Sequence, residues 1–277
     1  MLATPFLAKP VFYGSDFANW GFIVLLILHV LPAVVAVVAG LMALRYKKGS
    51  DSHIAWGMYF CWAMMATALS GIVLDVIRLS FYVAENHQKY PGYGMPSSYP
   101  ARFAFFYAAA CVFYLVKVVQ HPLNFSREST RQKPTRFPWF ALGLFLAGTG
   151  LSLLISARYN PWTGALWIIW TFMLIIFATG LLPLCSKKWP AFGLHQHRLA
   201  ALSLAAFSWW GAVQGFGPAI YIALKGTDSG TTVYTGDLPG HFSPDFFLFL
   251  VAWLPPFLIG AYLLRRYIRA SRSTSRN

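Results

Sequence analysis

The sequence predicts an all-α membrane protein, a bundle of seven transmembrane helices with the N-terminus outside and the C-terminus in the cytoplasm. Three observations support this prediction. Seven apolar stretches are each close to the 20 or so residues that cross a bilayer as a helix. Charged residues make up only 11% of the chain, against about 25% in a typical soluble domain. Basic residues also gather on alternate connections between the apolar stretches.

The predicted spans cover 20–45, 54–82, 102–120, 137–157, 162–185, 198–224 and 246–264. Trp20 begins the first span at the depth where aromatic side chains favour the membrane interface. Only a few residues around Pro161 join the fourth and fifth spans, so these two helices are expected to be antiparallel neighbours. The spans account for most of the chain, which predicts one transmembrane domain over residues 1–277.

The distribution of positive charge predicts the orientation. Of the 22 Lys and Arg residues, 16 fall on the first, third and fifth connections and on the C-terminal tail, and five fall on the opposite side. Under the positive-inside rule the basic side faces the cytoplasm, which predicts a multi-pass protein of the cell inner membrane. The net charge of +14 then reflects topology and contact with anionic lipids of the bilayer. Nucleic acid is not expected as a partner.

A weak internal similarity relates residues 29–72 to residues 169–216. Residues 40–48 match 180–188 at their Gly, Leu and Lys positions without a gap, and each copy continues into a histidine, His53 or His197. Both copies run from an odd span into an even one, which predicts a parallel repeat. Chance similarity between common span residues is the alternative.

The polar side chains singled out inside the predicted spans are His29, Asp75, Arg78 and Gln214; polar groups are costly there and point to function. His29 lies about 13 Å along the helix from Trp20; it is a candidate haem or metal ligand, proton-relay residue or interhelical hydrogen-bonding group. Asp75 and Arg78 share one helix face and are expected to pair, either structurally or as a site for an anion or a proton. Gln214 is expected to hydrogen-bond between helices.

Four histidines are predicted to lie at the cytoplasmic ends of spans: His53, His121, His195 and His197. Imidazole binds haem iron, copper, zinc and nickel. Haem b commonly takes two histidines from neighbouring helices, and His53 with His121, or His53 with His197, meets that requirement. His195 is a further candidate metal ligand. The alternative is that all four are ordinary interfacial residues.

Several other chemistries are not indicated. The predicted seventh span has no lysine to which retinal could attach. The sequence contains no phosphate-binding loop, no G-x-S-x-G and no H-E-x-x-H motif.

The stretch 28–72, with a second stretch near 195–215, resembles a family of bacterial multi-pass membrane proteins that carry a domain of unknown function. The similarity lies in an intramembrane histidine at 29, a basic connection, and the helix start His53-x-x-x-Gly57-x-Tyr59. In the family the aromatic residue comes one place later. His197-Arg198 is similar to a second His-Arg helix start of the family. The family layout is loosely similar to that of two-haem b-type cytochromes, and this resemblance implies haem as a cofactor.

Three functions are therefore consistent with the sequence. The first is a haem- or metal-binding membrane redox protein that uses the cytoplasmic histidines and His29. The second is a small-solute transporter that uses His29, Asp75, Arg78 and Gln214. The third is an assembly subunit without chemistry of its own, which binds a membrane-protein partner through small residues of the fourth span.

Overall fold

The computed structural model describes residues 16–77, 79–80, 95–125, 137–158, 164–182 and 194–225. These residues form six α-helices, and a π-helical turn at Phe177–Leu181 continues the fifth. The helices are α1 (Asp16–Arg45), α2 (Asp51–Ile77), α3 (Met95–Phe125), α4 (Phe137–Arg158), α5 (Gly164–Ile176) and α6 (Leu194–Lys225).

The all-α prediction is confirmed for the described part of the chain. Each of the first six predicted spans coincides with a helix, while the seventh, 246–264, lies outside the described residues. α3 begins at Met95, before the predicted start of the span at 102, because the helix also includes the residues that precede the apolar stretch. Among the described helices, four segments are long and apolar enough to cross a membrane: Val24–Arg45, Asp51–Ile77, Arg102–Gln120 and Pro138–Arg158.

α1 packs against α2 through small residues and directs its large side chains outward. Ala36 and Ala39 are 0% and 1% exposed, whereas Leu31 is 59% exposed. A Cβ added at Gly40 would lie 3.2 Å from the Phe60 ring of α2. Lipid is as apolar as leucine, so close approach of small residues favours helix pairing in a bilayer more than burial of large ones does. This arrangement supports a bilayer environment for the helices.

α3 is the central helix of the described bundle. It packs against α2, α4, α5 and α6, and Tyr114, Leu115 and Val116 are fully buried. The Tyr107 hydroxyl donates to the backbone carbonyl of Leu144 in α4 at 3.1 Å. This bond satisfies a polar group that would be costly in an apolar interior.

Two glycines allow α4 and α5 to approach the α3 tyrosines. A Cβ at Gly148 would lie 2.5 Å from the Tyr107 hydroxyl, and one at Gly180 would lie 2.5 Å from the Tyr114 hydroxyl. Gly148 is therefore used inside the bundle, whereas Gly143 has no side chain near its Cβ position in the described residues. The small residues of the fourth span were predicted to bind a partner protein. One of them, Gly148, instead packs against side chains of this chain.

The matched glycines of the proposed repeat have different neighbours. Gly40 contacts Phe60 in the next helix along the chain, whereas Gly180 contacts Tyr114 in α3 and Ala141 in α4. The two matched positions therefore do not pack in equivalent ways, and the internal duplication stays a prediction.

Candidate cofactor site

The turn between α1 and α2 positions His53. Gly49 has a φ of 83°, in the left-handed region that glycine enters at little cost. The Ser50 hydroxyl then caps α2: it accepts from the backbone N–H of His53 at 3.3 Å and donates to the carbonyl of Lys47 at 2.8 Å. Serine at this position satisfies a helix N–H that has no partner within the helix. His53 is thereby held in the first turn of α2.

The His53 ring reaches back to the last turn of α1. Its Nδ1 lies 2.8 Å from the carbonyl oxygen of Ala43. A carbonyl can only accept, so Nδ1 carries the hydrogen and Nε2 of the neutral ring keeps its lone pair. Lys48 Nζ donates to the same carbonyl at 3.3 Å. The hydrogen bond from His53 Nδ1 to the Ala43 carbonyl therefore sets both the tautomer and the direction of the imidazole.

His197 repeats this arrangement at the start of α6. Its Nδ1 lies 2.8 Å from the carbonyl oxygen of Val119, near the end of α3. Val119 is 4% exposed, so the bond lies at the buried contact between the two helices. By the same reasoning, His197 donates through Nδ1 and keeps a lone pair on Nε2. Two histidines on different helices thus have the same tautomer.

His53 and His197 lie at the same end of the bundle, where α1 packs against both α2 and α6. Burial lowers the pKa of His197, and the charges of His53, Arg198 and Lys48 lower it further, while the bond to the Val119 carbonyl opposes them. His197, which precedes the predicted sixth span, is therefore held in its neutral form, the form that binds a metal.

We expect acid to destabilise the folded protein through His197. Its pKa is lower in the folded state than in the unfolded state, so the unfolded chain binds more protons as the pH falls through about 6.5. This contribution to stability is fully present above that pH and is lost below it. Thermal unfolding in detergent between about pH 8 and pH 5 measures the loss. A His197→Asn variant should lose less stability than wild type; equal loss would contradict the assignment to His197.

His29 lies apart from this pair. Its Nδ1 is 3.1 Å from the Ser70 hydroxyl, which itself donates to the carbonyls of Ala66 and Thr67. A Cβ at Gly71 would lie 3.2 Å from the His29 ring. Because His29 lies about 21 Å along α1 from the Ala43 carbonyl, it does not join the His53–His197 site. The structure supports its reading as an interhelical hydrogen-bonding group between α1 and α2.

Asp75 forms an ion pair with a residue that the sequence analysis did not single out. Arg102 Nη1 lies 3.0 Å from Asp75 Oδ1, and the two side chains are 16% and 7% exposed. The Arg102 guanidinium also lies 5.7 Å from the centre of the Phe105 ring. Arg78 lies outside the described residues, so its pairing with Asp75 stays a prediction. Arg102 stands at the start of an apolar span, and this position is the feature of the sequence that could have indicated an ion pair there.

The remaining predicted site residues are described by their backbone only. His121 lies in the last part of α3, close to Val119, and His195 lies in the first turn of α6. Both are therefore at the same end of the bundle as His53 and His197. Gln214 lies well inside α6. In the part of the chain that the structure describes, no group of three or more His, Cys, Asp or Glu side chains could hold a metal ion.

Comparison with known proteins adds no relative. No family model matches the chain, and neither a curated protein nor a solved structure matches it. The resemblance to the bacterial membrane protein family therefore stays a prediction.

Proposed function

We propose that the protein binds haem b in the membrane through His53 and His197 and transfers electrons. One observation carries the proposal: each imidazole donates its Nδ1 hydrogen to a backbone carbonyl of a neighbouring helix at 2.8 Å. Histidines that bind metals commonly have such a bond, which orients the ring and makes Nε2 more basic. The two imidazoles come from α2 and α6 and lie at the same end of the bundle.

Two histidines fit a haem better than they fit a bare metal ion. Structural zinc takes four protein ligands and catalytic zinc takes three, and no such group occurs among the described side chains. Haem iron needs only axial ligands from the protein. Bound haem would supply a one-electron couple. The chain's own contribution is to orient both imidazoles, and to keep His197 neutral and partly shielded from water.

An absorption spectrum tests this proposal. The protein is purified in detergent from cells supplied with a haem precursor, and spectra of the oxidised and dithionite-reduced sample are recorded together with its metal content. We expect a Soret band and sharp reduced α and β bands. A colourless, metal-free protein would contradict the proposal and would leave the small-solute transporter and the assembly subunit as the functions to test.

We also propose seven spans in the cell inner membrane, with the N-terminus outside and the His53–His197 site at the cytoplasmic face. The proposal rests on the distribution of basic residues. Green fluorescent protein folds in the cytoplasm but does not fluoresce when exported unfolded. A fusion after residue 277 should therefore fluoresce, whereas a fusion after Arg158 should not. The opposite result would reverse the orientation.

A further inference from the structure

Ser70 of α2 holds His29 of α1 in a form that can take up a proton. The Ser70 hydroxyl has one hydrogen, which it donates to the carbonyl of Ala66 at 2.8 Å or to that of Thr67 at 3.1 Å. It therefore accepts from His29, and Nδ1 of the imidazole, 3.1 Å away, carries the hydrogen of this bond. A further proton is bound at Nε2, so His29 becomes charged without losing its bond to Ser70.

The His29 ring lies about one helical turn from a carboxylate. A Cβ added at Gly71 would be 3.2 Å from His29 Cε1, and Asp75 follows Gly71 by four residues on the same face of α2. Cβ atoms at this spacing are about 5–6 Å apart in a helix, so the His29 ring lies within about 9 Å of the Asp75 Cβ atom. At this separation each group acts on the other's charge, and water can carry a proton between them.

Asp75 connects this region to the end of the bundle opposite the candidate cofactor site. Its ion pair with Arg102, at 3.0 Å, lies where the span Asp51–Ile77 ends and the span Arg102–Gln120 begins. Arg102 is 16% exposed and lies 5.7 Å from the centre of the Phe105 ring. The arginine therefore keeps a favourable contact of its own when the carboxylate becomes neutral.

Few other ionisable groups of the described helices lie near His29. α1 packs against α2 and α6. On α2 the next ionisable residue after Asp75 is Cys61, about 15 Å along the helix from Gly71. On α6 the ionisable residues fall in the first five and last five positions: His195, His197, Arg198, Tyr221 and Lys225. The charges closest to His29 in the described part of the chain are thus those of Asp75 and Arg102.

We propose that His29 and Asp75 form a proton site within the membrane, at which a proton bound at His29 Nε2 passes to the Asp75 carboxylate. In this step an N–H bond breaks, an O–H bond forms, and both groups become neutral while Arg102 loses its anionic partner. Ionisable residues inside membranes are costly, and they commonly belong to proton relays. The proton leaves at the end of the bundle opposite the candidate cofactor site. This inference does not depend on haem binding.

NMR of the full-length protein in detergent, labelled with nitrogen-15 histidine, tests the site between about pH 5 and pH 9. The His29→Gln variant identifies the His29 signals. We expect Nδ1 to carry a hydrogen throughout and Nε2 to gain one as the pH falls. Asp75→Asn should move the titration midpoint of His29 to lower pH by about one pH unit, the effect of a charge about 9 Å away at an effective dielectric constant of about 20. Arg102→Met should move it to higher pH.

Matched variants separate this coupling from loss of structure. Asp51→Asn removes a carboxylate at the other end of α2 and should leave the midpoint unchanged. Asp75→Glu retains the charge and should shift it little. The double variant of Asp75→Asn with Arg102→Met removes both charges and should shift the midpoint less than Asp75→Asn alone. Circular dichroism shows whether each variant is folded.

Infrared spectra test the transfer itself. In the pH range where His29 takes up its proton, wild type should show the carbonyl band of a protonated carboxyl group that is absent from Asp75→Asn and from His29→Gln. If wild type lacks this band while the midpoint shifts as expected, the proton stays on His29 and the transfer is overturned. If His29 does not titrate, or if neither single charge variant moves its midpoint, the proton site is overturned. Each of these results leaves the absorption test of haem binding unaffected.

Discussion

Replacing His197 with asparagine is expected to remove the haem spectrum while leaving the protein folded. An asparagine amide can donate to the Val119 carbonyl as Nδ1 of His197 does at 2.8 Å, but it has no counterpart of Nε2. His197→Ala should remove both the ligand and the hydrogen bond to the carbonyl, at a cost of about 1–3 kcal/mol for an unsatisfied buried acceptor. Comparing the two variants separates coordination from structure.

The same comparison applies to His53, whose Nδ1 bonds the Ala43 carbonyl. His53→Asn should also lose the Soret band that the wild type is expected to have. The control is His87, which falls between the second and third predicted spans and outside the described residues; His87→Ala should keep the wild-type spectrum. Spectra of the reduced proteins at equal protein concentration provide the measurement. If both asparagine variants retain a full bis-histidine spectrum, His53 and His197 are structural and the axial ligands lie elsewhere.

The second large effect is expected at the buried ion pair between α2 and α3. Removing one partner of a buried ion pair typically costs about 3–5 kcal/mol. Asp75→Asn and Arg102→Met should therefore each lower the free energy of unfolding by about this amount. The double variant should lose much less than the sum of the two, because the two side chains interact directly with each other.

Unfolding in mixed detergent measures these free energies, with helix content followed by circular dichroism. Asp51 is the control because it is an exposed aspartate at the other end of α2. Asp51→Asn should cost no more than about 1 kcal/mol, the usual value of an acidic group near a helix N-terminus. Additive losses in the double variant would show that Asp75 and Arg102 are not coupled, which would contradict the ion pair at 3.0 Å.

Sequence reasoning located the helices well but their ends less well. Hydropathy depends on each stretch alone, so Phe137–Arg158 matches the predicted span 137–157 closely. α3 starts at Met95 because helix formation does not require an apolar side chain. The π-helical turn at Phe177–Leu181 has no marker in the hydropathy pattern. Its Gly180 is explained by Tyr114 of α3 and Ala141 of α4, which pack against it.

The candidate site was only partly predictable, for a related reason. Four histidines at one predicted face suggested a cofactor, but several pairings were possible. The choice depends on contacts between residues far apart in sequence: His197 bonds Val119 across 78 positions, and Asp75 pairs with Arg102 across 27. Backbone carbonyls such as that of Val119 are present at every position, so no sequence pattern marks the one that orients an imidazole.

The sequence by itself determined that this protein is built from apolar helices suited to a bilayer, because span length and composition are local properties. The distribution of its basic residues also predicts the orientation. Only the tertiary structure decided which polar groups meet: His197 bonds the Val119 carbonyl, His29 bonds Ser70, and Asp75 pairs with Arg102. Such pairings follow from helix packing, in which small residues permit close approach and each buried polar group must find a partner.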